Sequence, residues 1–238
     1  MSQHPFFGLL HLMRLLNRLL WLVAGSQLLL VSAAVGQRSL ALSAVVAPIY
    51  TTTNYARQTL YPTSDGQIVE PVHLAGQRSA AGFTVGGSLL YTYAPGWTFS
   101  TGLLYQQLSM WQERLPIAGE GSTRVSSRSI RLPVAINYRS SSKPLSPYFS
   151  LSLLTDLPLA THLLATRAGE ATQQLRVRNT LNPTFSAQLS VGCYYQLTDR
   201  YALIVQPTLA YTVGRFGGAT AFSPSFELGL QLQAVYRL

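Results

Sequence analysis

Phe226-Glu227-Leu228-Gly229-Leu230-Gln231-Leu232-Gln233-Ala234-Val235-Tyr236-Arg237-Leu238 sorts its side chains by parity. Even positions carry Phe, Leu, Leu, Leu, Ala, Tyr and Leu; odd positions carry Glu, Gly, Gln, Gln, Val and Arg. Successive side chains of a strand point to opposite faces, so this alternation predicts one long β-strand with an apolar and a polar side. A helix would scatter the same residues around its axis.

The pattern recurs upstream. Phe185, Ala187, Leu189, Val191, Cys193, Tyr195 and Leu197 oppose Thr184, Ser186, Gln188, Ser190, Gly192, Tyr194 and Gln196. Phe83, Val85, Gly87, Leu89, Tyr91 and Tyr93 oppose Thr84, Gly86, Ser88, Leu90 and Thr92. Ile130, Leu132, Val134, Ile136 and Tyr138 oppose Arg131, Pro133, Ala135, Asn137 and Arg139. Tyr201, Leu203, Val205, Leu209 and Tyr211 share a further face. Segments 40–52, 97–111 and 147–159 alternate less cleanly, and the last has no readable register. The count is eight strands, most near the ~9–11 residues that cross a bilayer at a tilt.

Connections alternate in length. Short links are 94–96, 140–146 and 198–200; long or Gly-rich links are 54–78, 112–127, 161–182 and 214–223. Short periplasmic turns alternating with longer external loops is the arrangement of outer-membrane barrels. Tyr93, Trp97, Tyr138, Tyr148, Tyr195, Tyr201 and Tyr236 flank the short links, where amphipathic rings would form a periplasmic girdle. Tyr50, Tyr105, Trp111 and Tyr211 are candidates for the outer girdle.

Composition points the same way. Charged residues make up 11% of the 238, and Lys143 is the only lysine. A water-exposed surface ordinarily needs about twice that charge. Beyond the N-terminal segment no apolar run reaches the ~20 residues of a transmembrane helix, which leaves a closed barrel as the way to satisfy backbone groups in lipid. The polar faces are mainly Ser, Thr, Gln and Gly, suited to a narrow lumen and unlike the Lys/Glu-rich exterior of a soluble lipocalin-like barrel. The expected fold is therefore an all-β, eight-stranded, antiparallel up-and-down transmembrane barrel, spanning residues 37–238 and bounded by external loops.

Residues 1–36 read as a signal peptide. Arg14 and Arg18 precede an apolar stretch ending Ser32-Ala33-Ala34-Val35-Gly36, whose small residues place cleavage before Gln37. Gly25, Ser26 and Gln27 interrupt the stretch and argue against a retained anchor, and Met13 is a candidate start. The formal charge of +9 becomes +7 after cleavage. With no Lys/Arg run, helix-turn-helix or RNA-binding aromatic motif, a nucleic-acid partner is not expected.

The strand Ile130-Arg131-Leu132-Pro133-Val134-Ala135-Ile136-Asn137-Tyr138, the following Lys143-Pro144 and Pro147-Tyr148-Phe149, and the ending Tyr236-Arg237-Leu238 resemble the PorT-like outer-membrane β-barrel proteins. That resemblance implies a small exported barrel in a Gram-negative outer membrane. It also accommodates Pro133, a residue that sheet interiors otherwise avoid. The ending resembles the signal read by the barrel-assembly machinery, with Leu238 where Phe is commoner.

Chemistry is sparse. Cys193, the only cysteine, falls on an apolar face and cannot form an internal disulfide. Neither HExxH, CxxC, a P-loop nor GxSxG occurs, so no cofactor, metal or catalytic activity is expected. The one constellation to weigh for a lipid-modifying enzyme is Ser152, Asp156 and His162, with the histidine beyond the strand end. A narrow pore is the third reading. Two sets of charged residues stand out as binding candidates. Arg131 and Glu227 fall on lumen faces, where a charge needs a partner, which predicts an internal ion-pair network. Arg57, Arg114, Arg124, Arg128, Arg176 and Arg178 read as external-loop residues able to hold lipopolysaccharide phosphates bidentately.

Overall fold

The computed structural model describes residues 39–60, 62–63, 72–113, 121–167, 173–177, 182–215 and 223–238. The signal-peptide reading of residues 1–36 lies outside them. Ten strands are present: β1 (Ser39–Leu60), β2 (Pro62–Thr63), β3 (Val72–Ala94), β4 (Trp97–Glu113), β5 (Gly121–Arg139), β6 (Leu145–Arg167), β7 (Gln173–Val177), β8 (Thr184–Gln196), β9 (Tyr201–Arg215) and β10 (Ser225–Arg237). Eight of them form a ring of antiparallel neighbours, β1-β3-β4-β5-β6-β8-β9-β10, and β10 pairs back onto β1. Closure pairs every strand of this ring on both sides, which is the requirement lipid imposes on a sheet.

Short turns close one end. Pro95-Gly96 joins β3 to β4, with φ of +77° at Gly96. Proline followed by a glycine at positive φ fits a type II turn. A Cβ at Gly96 would also stand 2.6 Å from the Arg139 carbonyl oxygen, so a larger residue is excluded twice over. The β8–β9 turn is braced by the Thr198 hydroxyl, which accepts from the Tyr201 amide at 3.0 Å.

The outer surface is apolar. Leu42, Val46, Phe83, Val85, Leu103, Leu151, Leu153, Leu189, Val191, Leu228 and Leu230 are all exposed around the ring. Aromatic pairs bound this belt. Trp97 and Tyr138 stack at 4.8 Å and Tyr201 and Tyr236 at 5.3 Å near the short turns; Tyr211 and Phe226 stack at 4.7 Å and Phe83 and Tyr105 at 6.4 Å toward the other end. Ten residues separate Phe226 from Tyr236. At a rise of about 3.3 Å per residue and a tilt of about 40°, the girdles stand about 25 Å apart, the height of an outer-membrane apolar band.

Three expectations need correction. The strands run far past the outer girdle: β1 has 22 residues and β3 and β6 have 23 each. Much of the predicted loops 54–78, 112–127 and 161–182 is therefore strand. Those stretches lose apolar alternation because both faces have left the belt, while backbone pairing continues. Second, Tyr148 does not join the girdle. It is 4% exposed and packs inside against Tyr194, with ring centroids 6.0 Å apart. Third, the lumen is not only hydroxyls and amides: Val45, Ile49, Leu90, Leu104, Leu154, Ile204 and Val235 are buried among Ser43, Thr84, Gln106, Ser150, Ser190 and Gln206. An eight-stranded interior is narrow enough to be filled by side chains.

Beyond the belt, β2 pairs with β7, which itself pairs with β6. β2 follows β1, and β1 lies four places from β6 in the ring. This pairing therefore joins segments leaving opposite walls of the barrel, at the end away from the short turns.

Candidate functional site

The alternation of β5 and β10 sends Arg131 and Glu227 into the lumen, where they meet. Arg131 Nη1 donates to Glu227 Oε1 at 2.5 Å and Nη2 to Oε2 at 2.9 Å. Asp156 of β6 completes the group: Arg131 Nε and Nη2 donate to its two carboxylate oxygens at 2.7 and 3.0 Å. One guanidinium thus grips two carboxylates bidentately, the geometry its planar fork favours. Gln106 of β4 supplies a further donor to Glu227 Oε2 at 2.9 Å, and its own oxygen accepts from Ser129 at 3.1 Å. The side chains of Arg131, Asp156 and Glu227 are 7%, 16% and 10% exposed. Their charges are removed from water but compensated to within one negative unit, and each carboxylate is satisfied by strong bonds.

Sequence reading placed Arg131 and Glu227 on lumen faces and missed Asp156 and Gln106. Asp156 was hidden by the register of β6. Up to Asp156, even residues of β6 face inward, as buried Ser146, Tyr148, Ser150 and Leu154 show. Between Arg128↔Ala160 and Ser129↔Pro158 the register slips by one residue, leaving Leu159 as a bulge. Beyond it the odd residues turn inward: Leu163, opposite Val125, is fully buried. Bulges re-aim a strand in this way. Gln106 was hidden by Leu104 and Leu108 on its own face.

The same bulge decides the Ser152, Asp156 and His162 constellation. His162 does not lie beyond the strand but within β6, opposite Ser126, on the outward face. Ser152 and Asp156 face inward, and Asp156 is bound by Arg131. The three are not brought together. Among the described residues no group of His, Cys, Asp and Glu could hold a metal ion. Cys193 is exposed on the outer face.

Toward the short turns, Asn137 Nδ2 donates to Ser100 Oγ at 2.9 Å and Ser150 donates to Asn137 Oδ1 at 2.6 Å. A space of about 40 Å³ lies in the middle of the lumen, lined by Arg131, Asn137, Ser150 and Glu227 among others. Cavities lie on either side, of about 170 Å³ beside Thr51 and Thr212 and about 240 Å³ beside Arg139 and Arg237.

Four of the six candidate arginines, Arg57, Arg124, Arg128 and Arg176, occupy strands rather than loops. Arg124 and Arg128 are exposed on β5, opposite Trp111 and Gln107. Arg124 sits 5.6 Å from the Trp111 ring centroid and donates to Ser109 Oγ at 3.1 Å. Arg128 comes just past outward-facing Ile130 and Tyr105, at the edge of the belt. Arg57 lies in β1 and Arg176 in β7, but their side chains are outside the described residues, as are Arg114 and Arg178 altogether.

No family model matches the chain, and no curated protein is similar to it. Among solved structures it is similar to Neisserial surface protein A, at 14% identity over 83% of this chain and 98% of that one, with a TM-score of 0.44. It is similar to the outer membrane protein OprG from Pseudomonas aeruginosa, at 11% identity over 82% and 95%, with a TM-score of 0.37. It is also similar to Ail, the attachment invasion locus protein of Yersinia pestis, at 12% identity over 83% and 99%, with a TM-score of 0.35.

Proposed function

We propose that this chain is a non-catalytic outer-membrane barrel whose lumen is plugged by the Arg131–Asp156–Glu227 group and whose working surface is its external end. The observation that carries the reading is the sidedness of the wall: an apolar belt about 25 Å tall between aromatic girdles, around a charged and hydroxylic interior. Short turns then face the periplasm, and the barrel-assembly machinery would read the β10 ending during insertion. The PorT-like resemblance of the 130–149 segment is consistent with such a barrel and is part of the proposal.

Plugging argues against a pore. The two wider spaces described above are separated by bonded side chains, and β2 with β7 links opposite walls beyond the belt. The dispersal of Ser152, Asp156 and His162 argues against a lipid-modifying enzyme. At the external rim, Arg128 forms no hydrogen bond or ion pair in this structure, and Arg124 keeps a cation–π contact rather than a carboxylate partner. Guanidinium groups at the edge of the belt without a carboxylate partner among the described residues suit lipopolysaccharide phosphates.

Membrane fractionation with heat-modifiable gel mobility tests the placement: a folded barrel in the outer-membrane fraction should shift on boiling. Recovery in the soluble fraction would overturn it. Purified lipopolysaccharide should bind the wild type more tightly than Arg124→Gln/Arg128→Gln, and equal binding would remove these residues from the external surface's role.

A further inference from the structure

The short-turn end of the lumen holds a second pair of arginines. Arg139 is the last residue of β5 and Arg237 the last of β10, and both line the 240 Å³ cavity with Tyr148 and Tyr194. Their guanidinium centres lie 4.2 and 5.8 Å from the centroid of the same ring, Tyr194. Arg237 Nη2 donates to the Tyr194 hydroxyl at 2.7 Å; Arg139 Nε donates to Ser146 Oγ at 2.8 Å and Nη2 to the Lys143 carbonyl at 2.6 Å. These contacts aim both groups and neutralise neither. Among the described residues no carboxylate pairs with either arginine.

Donors are left over. Arg139 Nη1, Arg237 Nε and the hydroxyl of Tyr148 make no hydrogen bond to a described residue, although Tyr148 is 4% exposed. Two cations held beside one aromatic ring repel each other, and an anion bound by both would remove that cost. Two guanidinium forks approaching from different strands, with a phenol hydroxyl beside them, offer donors in several directions. A tetrahedral oxyanion uses such a set more fully than a planar carboxylate does.

We propose that this cavity is a binding site for a phosphate group, held by Arg139 and Arg237 with Tyr148 as a further donor. Its opening to the periplasm rests on the membrane placement above; the binding itself does not.

The test is calorimetric titration of the full chain, folded in a phosphate-free non-ionic detergent, with inorganic phosphate. Saturable binding is expected in the wild type. Arg139→Gln and Arg237→Gln should each weaken it about tenfold or more, and Tyr148→Phe less. Heat-modifiable mobility reports whether each variant is folded, and Arg139→Lys and Arg237→Lys, which keep the charge but lose the fork, should still lose several-fold in affinity. Non-saturable binding, folded arginine variants that bind like the wild type, or acetate displacing phosphate at equal concentration would overturn the proposal. Transfer to phospholipid vesicles identifies the source: lost binding of free phosphate assigns the site to a lipid headgroup, retained binding to a soluble phosphate ligand. A soluble-fraction protein that still binds phosphate would sink the placement and leave the site standing.

Discussion

β5 and β10 each send two charged side chains into the lumen, and the two levels are settled in opposite ways. At the upper level Arg131 meets Glu227, with Asp156 joining from β6. At the lower level Arg139 and Arg237 both lie beside Tyr194, and no carboxylate of the described residues pairs with them. The upper group is closed: its charges are buried, bonded and nearly balanced. The lower group is half-buried, positive and supplied with unused donors. Buried charge with a full complement of partners serves architecture, whereas charge held in place without a partner is available to a ligand.

The sharpest way to break this contrast is Arg131→Met. It strands two carboxylates in the lumen and should cost about 3–5 kcal/mol, read as a lowered urea midpoint for unfolding in lipid vesicles. Adding Asp156→Asn and Glu227→Gln should recover most of that loss, since no buried charge remains; a triple variant as unstable as the single one would mean that packing, not charge, holds the level together. The comparison can also be read as conductance. Arg131→Ala/Glu227→Ala should open current steps in planar bilayers where the wild type shows none, because the narrow middle of the lumen is lined by these two side chains. At the lower level Arg237→Gln should change stability by about 1 kcal/mol or less, the range of an exposed cation–π contact. Smallest of all is Arg128→Gln, expected to leave the unfolding midpoint within about 0.5 kcal/mol, because a lone surface arginine has no partner to lose.

How much of this was legible depended on whether a strand kept one parity. β8 and β10 show inside and outside in their letters because every outward residue in the belt is apolar or aromatic. β1 was obscured by Ala41, Val45, Ala47 and Ile49, apolar residues that the narrow lumen accepts as filler. β6 was obscured by Leu159, which changes the parity half-way so that no single register fits the whole strand. The inward aim of Arg139 and Arg237 was written in the alternation, but their convergence was not. It depends on ring closure, which brings together β5 and β10 through neighbours far apart in sequence. Arg57, Arg124, Arg128 and Arg176 were misread as loop residues because, once a strand leaves the belt, hydropathy no longer distinguishes it from a loop.

The extra residue at Leu159 has a consequence for descent. Length changes are usually thought harmless in outer loops and forbidden in walls. Here a single deletion in the wall would exchange the faces of everything that follows in β6, exposing Leu163 and swinging His162 inward, while leaving the Asp156 grip on Arg131 untouched. A homologue carrying a one-residue gap at this point would therefore differ in what its upper rim displays, with the same plug beneath it.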